Sequence, residues 1–176
     1  MSEIKFTRKK QNDTGSSLLN NENYFLNPPL VIRLFNPIII ELNQKYIVLK
    51  YSNEDSTMLK ETSDKIINSF KNCVLLDDNT FINPLCTQYI RCNLPIPWSP
   101  YKKKYYKYSF DFYTDNKKVN IDCNNIISMK KNDLVYNKMI IEVKNLWRMD
   151  NKYGFNCILK EIYTTKINNT VDGSSN

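Results

Sequence analysis

Alternation of apolar and polar positions dominates the second half of the chain. Tyr106, Tyr108, Phe110 and Phe112 fall on one side of an extended segment, with Lys107, Ser109, Asp111 and Tyr113 on the other. A period of two is the signature of a half-buried strand. Over 138–147, Met139, Ile141, Val143 and Trp147 share one face, against Glu142 and Lys144. Residues 153–163 read as a last strand, and 114–118 as a hairpin turn with 119–123 returning from it. Nearer the start, the apolar runs 30–35 and 38–42 make one bent strand interrupted at Asn36-Pro37, and 44–51 pairs with it as a hairpin. Helical spacing occurs once. Met58, Leu59, Thr62, Ile66, Ile67 and Phe70 follow the capping and acidic residues Ser52-Asn53-Glu54-Asp55, which predicts a helix over about 54–71.

These elements predict a mostly β chain with one or two helices. Its strands suit a small, closed or partly open antiparallel barrel of five to seven strands. The barrel is expected over 28–166, opened by Pro28-Pro29. Residues 1–27 read as a disordered basic tail carrying Lys5, Arg8, Lys9 and Lys10, and 167–176 as a flexible polar one.

Charge sharpens the question of partners. The net charge of +7 favours an acidic partner, nucleic acid before a membrane surface. There is no histidine, which removes Ser–His and Cys–His nucleophiles and every His-containing metal site. The five cysteines form no C-x-x-C pair, so buried thiols in a reducing compartment are expected, with no cofactor and no metal. Asp77-Asp78 reads as turn chemistry. No apolar run approaches the roughly 20 residues of a membrane span, and the N-terminus has no apolar core of a signal peptide, so an intracellular, soluble protein is expected. The abundance of Lys, Asn, Ile, Tyr and Phe fits an A+T-rich genome such as that of a virus or linear plasmid, and discounts part of the lysine signal.

Candidate chemistry concentrates in two places. Between Trp98 and Tyr108 the chain carries four lysines and no acid, interleaved with one Trp and four Tyr. Prolines at 84, 95, 97 and 100 stiffen the approach to it. Ammonium groups beside π-faces suit a polymer with a charged backbone and stackable bases. The contact set is expected to be Trp98, Tyr101, Lys102, Lys103, Lys104, Tyr105 and Lys107, joined by Arg91. The second place is Trp147-Arg148-Met149-Asp150-Asn151-Lys152-Tyr153-Gly154-Phe155. Here a strand ends in Trp, turns, and restarts with an aromatic–Gly–aromatic step. Gly154 inside a strand marks a barrel corner, the preferred reading, or the path of a nucleotide.

That second pattern, with Lys130-Lys131-Asn132-Asp133-Leu134-Val135 before it, resembles the closing strands of OB-fold single-stranded-DNA-binding proteins of viral, phage or linear-plasmid replication systems. The resemblance is most specific over 118–166. It implies sequence-tolerant binding of single-stranded DNA in replication, by stacking and phosphate neutralisation, with Trp147, Arg148, Lys152 and Tyr153 added to the contact set. RNA as ligand, replication proteins as partners and a homo-oligomer stay open. With three glycines and no acidic C-terminal cluster, the chain departs from bacterial members, so only architecture and stacking carry over. A non-enzymatic β-barrel interaction or structural protein is the alternative. An enzyme finds no P-loop or catalytic pair motif to support it.

Overall fold

The structure, a computed structural model, describes residues 5–10, 22–73, 81–82, 85, 89–95, 98–99, 104–105, 108–121, 126, 129, 133–149 and 152–167. Strands β1 (Lys5–Lys10), β2 (Glu22–Phe35), β3 (Ile38–Leu42) and β4 (Tyr46–Lys50) precede the helix α1 (Asn53–Cys73). After it come β5 (Phe81–Ile82), β6 (Tyr89–Asn93), β7 (Trp98–Ser99), β8 (Lys104–Tyr105), β9 (Asp111–Thr114), β10 (Lys117–Val119), β11 (Leu134–Met149) and β12 (Lys152–Lys166).

Ten of these strands form one mixed sheet whose main path is β1-β2-β11-β12-β6-β4-β3, while β7 and β8 pair separately. β12 is the spine. It runs antiparallel to β11 along its whole length and meets β5, β6 and β9 in parallel on its other edge. The expected all-antiparallel barrel is therefore corrected to an open mixed sheet, with β1 and β3 at its two ends among the described residues. Asn36 and Pro37 alone connect β2 to β3, although the two stand far apart in the strand order. Asn36 takes the left-handed conformation (φ 48°), which Asn tolerates better than most residues.

The N-terminal expectation is also corrected. Residues 22–27 continue β2 upstream of the prolines and pair with β1, Lys5 opposite Asn27 and Lys10 opposite Glu22. Pro28 and Pro29 are not a boundary; they lie in a bulge. Val143 faces Leu30 and Asn145 faces Phe25, so residues 26–29 of β2 stand against Lys144 alone. Proline has no N–H for a ladder and is tolerated at such irregularities.

One face of the sheet is the core. It carries Ile32 and Leu34 of β2, Ile47 and Leu49 of β4, Ile90 and Cys92 of β6, Met139, Ile141, Val143 and Leu146 of β11, and Cys157, Leu159 and Ile162 of β12, all buried. The helix forms where predicted. Ser52 Oγ accepts the Asp55 N–H (3.1 Å), and Asp55 in turn accepts the Phe35 N–H (3.1 Å), tying the helix start to the end of β2. Leu59, Ser63, Ile66 and Phe70 recur on one face and are fully buried. Phe70 meets Phe6, Tyr24 and Tyr153 edge-on at centroid distances of 5.3, 4.9 and 5.1 Å, closing one end of the core. Burying a Phe side chain of this kind contributes about 2–3 kcal/mol. Between β9 and β10, Asp115 and Asn116 both have positive φ (50° and 61°), the requirement of a two-residue type I′ hairpin.

Candidate nucleic-acid interface

A bulge decides which side chains reach the outer face of the sheet. Straight alternation from Val143 places Trp147 on the core face. Instead Val143 pairs with Cys157 and Asn145 with Asn156, leaving Lys144 as an extra residue and reversing the sides. Leu146 turns inward and is fully buried, while Asn145 and Trp147 turn outward. The sequence expectation that Trp147 shares the face of Met139, Ile141 and Val143 is corrected accordingly.

The outer face then gathers cations and aromatic rings from several strands. Arg91 of β6, exposed, holds its guanidinium carbon 3.8 Å from the ring centroid of Tyr46 on β4. Lys138 of β11 stands 4.1 Å over the ring of its cross-strand partner Tyr163, which stacks on Tyr113 at 4.8 Å and 9°. Lys144 lies 6.0 Å from the Phe25 centroid. The carboxylates on this side have partners of their own: Asp111 binds Lys118 (2.6 Å), Glu142 binds Lys160 (3.4 Å), Glu41 accepts from Tyr46 Oη (2.5 Å), and Glu161 accepts from Tyr163 Oη. The Glu41 hydrogen bond raises the Tyr46 phenol above its ordinary range, and the Glu161 bond pushes Tyr163 up to about 12, so both rings stay neutral at physiological pH.

A line of carboxamides crosses this face. Asn93 Nδ2 donates to Asn156 Oδ1 (2.8 Å), Asn156 Nδ2 to Asn145 Oδ1 (2.9 Å), and Asn145 Nδ2 to Asn23 Oδ1 (2.8 Å). It runs from β6 through β12 and β11 to β2. Asn145, 3% exposed, is the buried link. Beside it the Trp147 indole covers Gly154, so what approaches the glycine is the chain's own ring, an explanation that the expected barrel corner or nucleotide path did not include.

The expected contact residues separate into four groups. Arg91, Trp147 and Lys152 lie on or beside the outer face, Arg91 and Lys152 exposed and Trp147 half-buried. Tyr153 does not: it is 2% exposed, with its ring against Phe70, and its expected stacking role is corrected to a core role. Arg148 is on that same inner side, its guanidinium 3.4 Å from the buried Glu22 carboxylate and 5.7 Å from the Tyr153 ring, so its charge is already matched. Trp98, Lys104 and Tyr105 belong to the β7–β8 ribbon, in which Trp98 pairs with Tyr105 and Ser99 with Lys104. Tyr101, Lys102, Lys103 and Lys107 lie outside the described residues. Tyr46, Phe25 and the four asparagines are additions that the sequence reading missed. Tyr46 and Phe25 carried a weak signal, as aromatic residues next to apolar ones in extended stretches.

Cys92 and Cys157 are free and buried, and burial raises both thiols, Cys157 to about 12, which keeps them protonated and unreactive. Among the described residues no group of three or more Cys, Asp or Glu is gathered to hold a metal, and no helix is long and apolar enough to cross a membrane. No protein-family model matches the chain, and no curated protein matches it.

Proposed function

We propose that the chain is a sequence-tolerant single-stranded-DNA-binding protein acting in replication of an A+T-rich viral or extrachromosomal genome. The observation that carries this reading is the Arg91–Tyr46 pair on an open sheet face, a cation set 3.8 Å over an aromatic ring. Lys152 and Arg91 neutralise phosphates and release counterions, while the Arg91–Tyr46 stack and the Trp147 indole offer flat surfaces to bases. Strand order supports an OB-like architecture. Taken as one bent strand through Asn36-Pro37, β2 and β3 flank the open path β11-β12-β6-β4, β2 pairing with β11 and β3 with β4, a neighbour order compatible with an OB-like arrangement. A five-stranded, partly open Greek-key barrel binds oligonucleotides on its second and third strands, which in this reading are β4 and β6. The helix falls between those two strands.

The test is a titration of intrinsic Trp fluorescence with a single-stranded homopolymer at low and high salt, with duplex as control. Quenching by the single strand alone, weakened by salt, is expected. Arg91→Ala and Tyr46→Ala each weaken binding at unchanged fold, by about 1–3 kcal/mol for the lost stacking ring. Unchanged affinity in both variants would remove this site.

One observation favours a second reading, a non-enzymatic interaction protein. Val31, Phe35 and Ile38, 47%, 53% and 58% exposed, surround the Asn36–Pro37 corner and form an apolar surface suited to another protein. Under that reading the chain binds no oligonucleotide and the titration is flat.

A further inference from the structure

The asparagine line is an unusual element of a β-sheet. Asn is depleted from strands because its side chain competes with the ladder for backbone hydrogen bonds. Four of them nevertheless occupy four neighbouring strands, in three successive bonds of 2.8–2.9 Å that all donate in one direction. The line spans about 14 Å at the ordinary spacing of strands. Its interior link Asn145 is buried and bonded to both neighbours, which holds the carboxamides on either side of it in place.

The head of the line is Asn93, exposed on β6. One Nδ2–H of Asn93 goes to Asn156; its Oδ1 and the other Nδ2–H have no partner among the described residues. Its direct cross-strand partner is Tyr46, the ring under Arg91. Residues directly opposite on antiparallel strands have Cβ atoms about 5 Å apart. Arg91 covers the Tyr46 ring, so a base stacked on the flat guanidinium of this pair has its edge beside Asn93, two residues along the same strand. A carboxamide that offers an acceptor and a donor side by side pairs bidentately with the N6 and N7 positions of adenine.

We propose that Asn93 reads the N6/N7 edge of an adenine stacked on the Arg91–Tyr46 pair, and that Asn156 and Asn145 are positioning residues that hold its carboxamide for that contact. The proposal rests on the single-strand-binding reading and adds to it an adenine preference on an otherwise sequence-tolerant surface. Adenine pairs with the side chain, and the backbone contacts stay as they are.

The experiment compares fluorescence anisotropy titrations of two oligomers, one of deoxyadenosine and one of 7-deaza-deoxyadenosine, which keeps the stacking surface and loses the N7 acceptor. For the unmodified protein the 7-deaza oligomer is expected to bind at least about fivefold more weakly, the low end of a bidentate base contact. In Asn93→Ala the deoxyadenosine oligomer weakens by a similar factor and the difference between the oligomers disappears. Asn156→Ala, which leaves Asn93 in place, narrows the difference without changing the salt dependence. Equal affinity of the unmodified protein for both oligomers, or a difference that survives in Asn93→Ala, overturns the base-reading role and leaves single-strand binding standing. Absence of binding to either oligomer overturns both readings.

Discussion

The indole of Trp147 lies so close to Gly154, its cross-strand partner, that a methyl group at residue 154 would stand 2.3 Å from Cζ2 and 2.5 Å from Cε2 of the ring. No side chain fits there unless the ring moves. Gly154→Ala is expected to destabilise the fold by about 1–3 kcal/mol, the usual range for an overpacked site, and to shift Trp emission. Combining it with Trp147→Leu should recover much of the loss. Denaturant unfolding of the two single variants and the double variant checks this; additive effects would mean that ring and glycine are energetically independent.

Phe70 and Tyr153 belong to the core and not to the outer face of the sheet. Phe70→Ala should cost about 3–5 kcal/mol of stability. The fraction that remains folded should bind oligonucleotide as the unmodified protein does. Urea melts, together with affinities corrected for the folded fraction, separate the two effects. A specific loss of affinity in Tyr153→Phe would place that ring back among the contacts.

Alkaline stability should carry the mark of Tyr163. Its phenol donates to Glu161 and ionises at about 12 in the folded chain, above its ordinary value of 10.0. The folded state thus holds the proton more tightly than the unfolded one. The resulting stability is fully present below pH 10 and is lost as the pH rises through about 12. Glu161→Gln removes the anion, so one tyrosinate should appear at lower pH in a spectrophotometric titration. Tyr163→Phe should delete that late-titrating group.

At the tip of the β9–β10 hairpin, Asn116 has φ 61°. Asn116→Gly is expected to be neutral or to stabilise by a few tenths of a kcal/mol, and Asn116→Val to destabilise by about 1–2 kcal/mol, because a branched side chain crowds the left-handed backbone. Thermal melts of the two variants provide the comparison.

The helix and the bent strand were legible in the sequence because their causes are local. Ser52 caps, and the apolar residues return every three or four positions up to Phe70. What decides the outer face is not local. The extra residue Lys144 leaves no trace in the order of apolar and polar side chains, so alternation alone puts Trp147 on the face of Met139, Ile141 and Val143 although it also stands in the expected contact set, and only the strand partners fix the register. Tyr153 departs from expectation for the opposite reason. Its neighbours Arg148 and Lys152 suggest phosphate, yet Glu22, far away in sequence, already neutralises Arg148. Pro28-Pro29 reads as the end of a tail because proline usually stops a ladder, whereas here β2 carries both in a bulge of its own, residues 26–29 against Lys144. The asparagine line was invisible for the same cause as the bulge, since its members lie on four strands.

The pairing of β2 with β11 has a consequence for how the chain is made. Arg148 and Glu22 are 126 residues apart, and the strands that carry them align along almost their full lengths. A ribosome adding about 5–20 residues per second leaves β2 without its partner for several seconds. During that interval its alternating apolar side chains, Tyr24, Leu26, Ile32 and Leu34, have only β1 and nascent local contacts to cover them. Synthesis therefore exposes an aggregation-prone strand early and leaves it uncovered until β11 has been made. A chain truncated before residue 134 should emerge as a chaperone client, not as a folded intermediate.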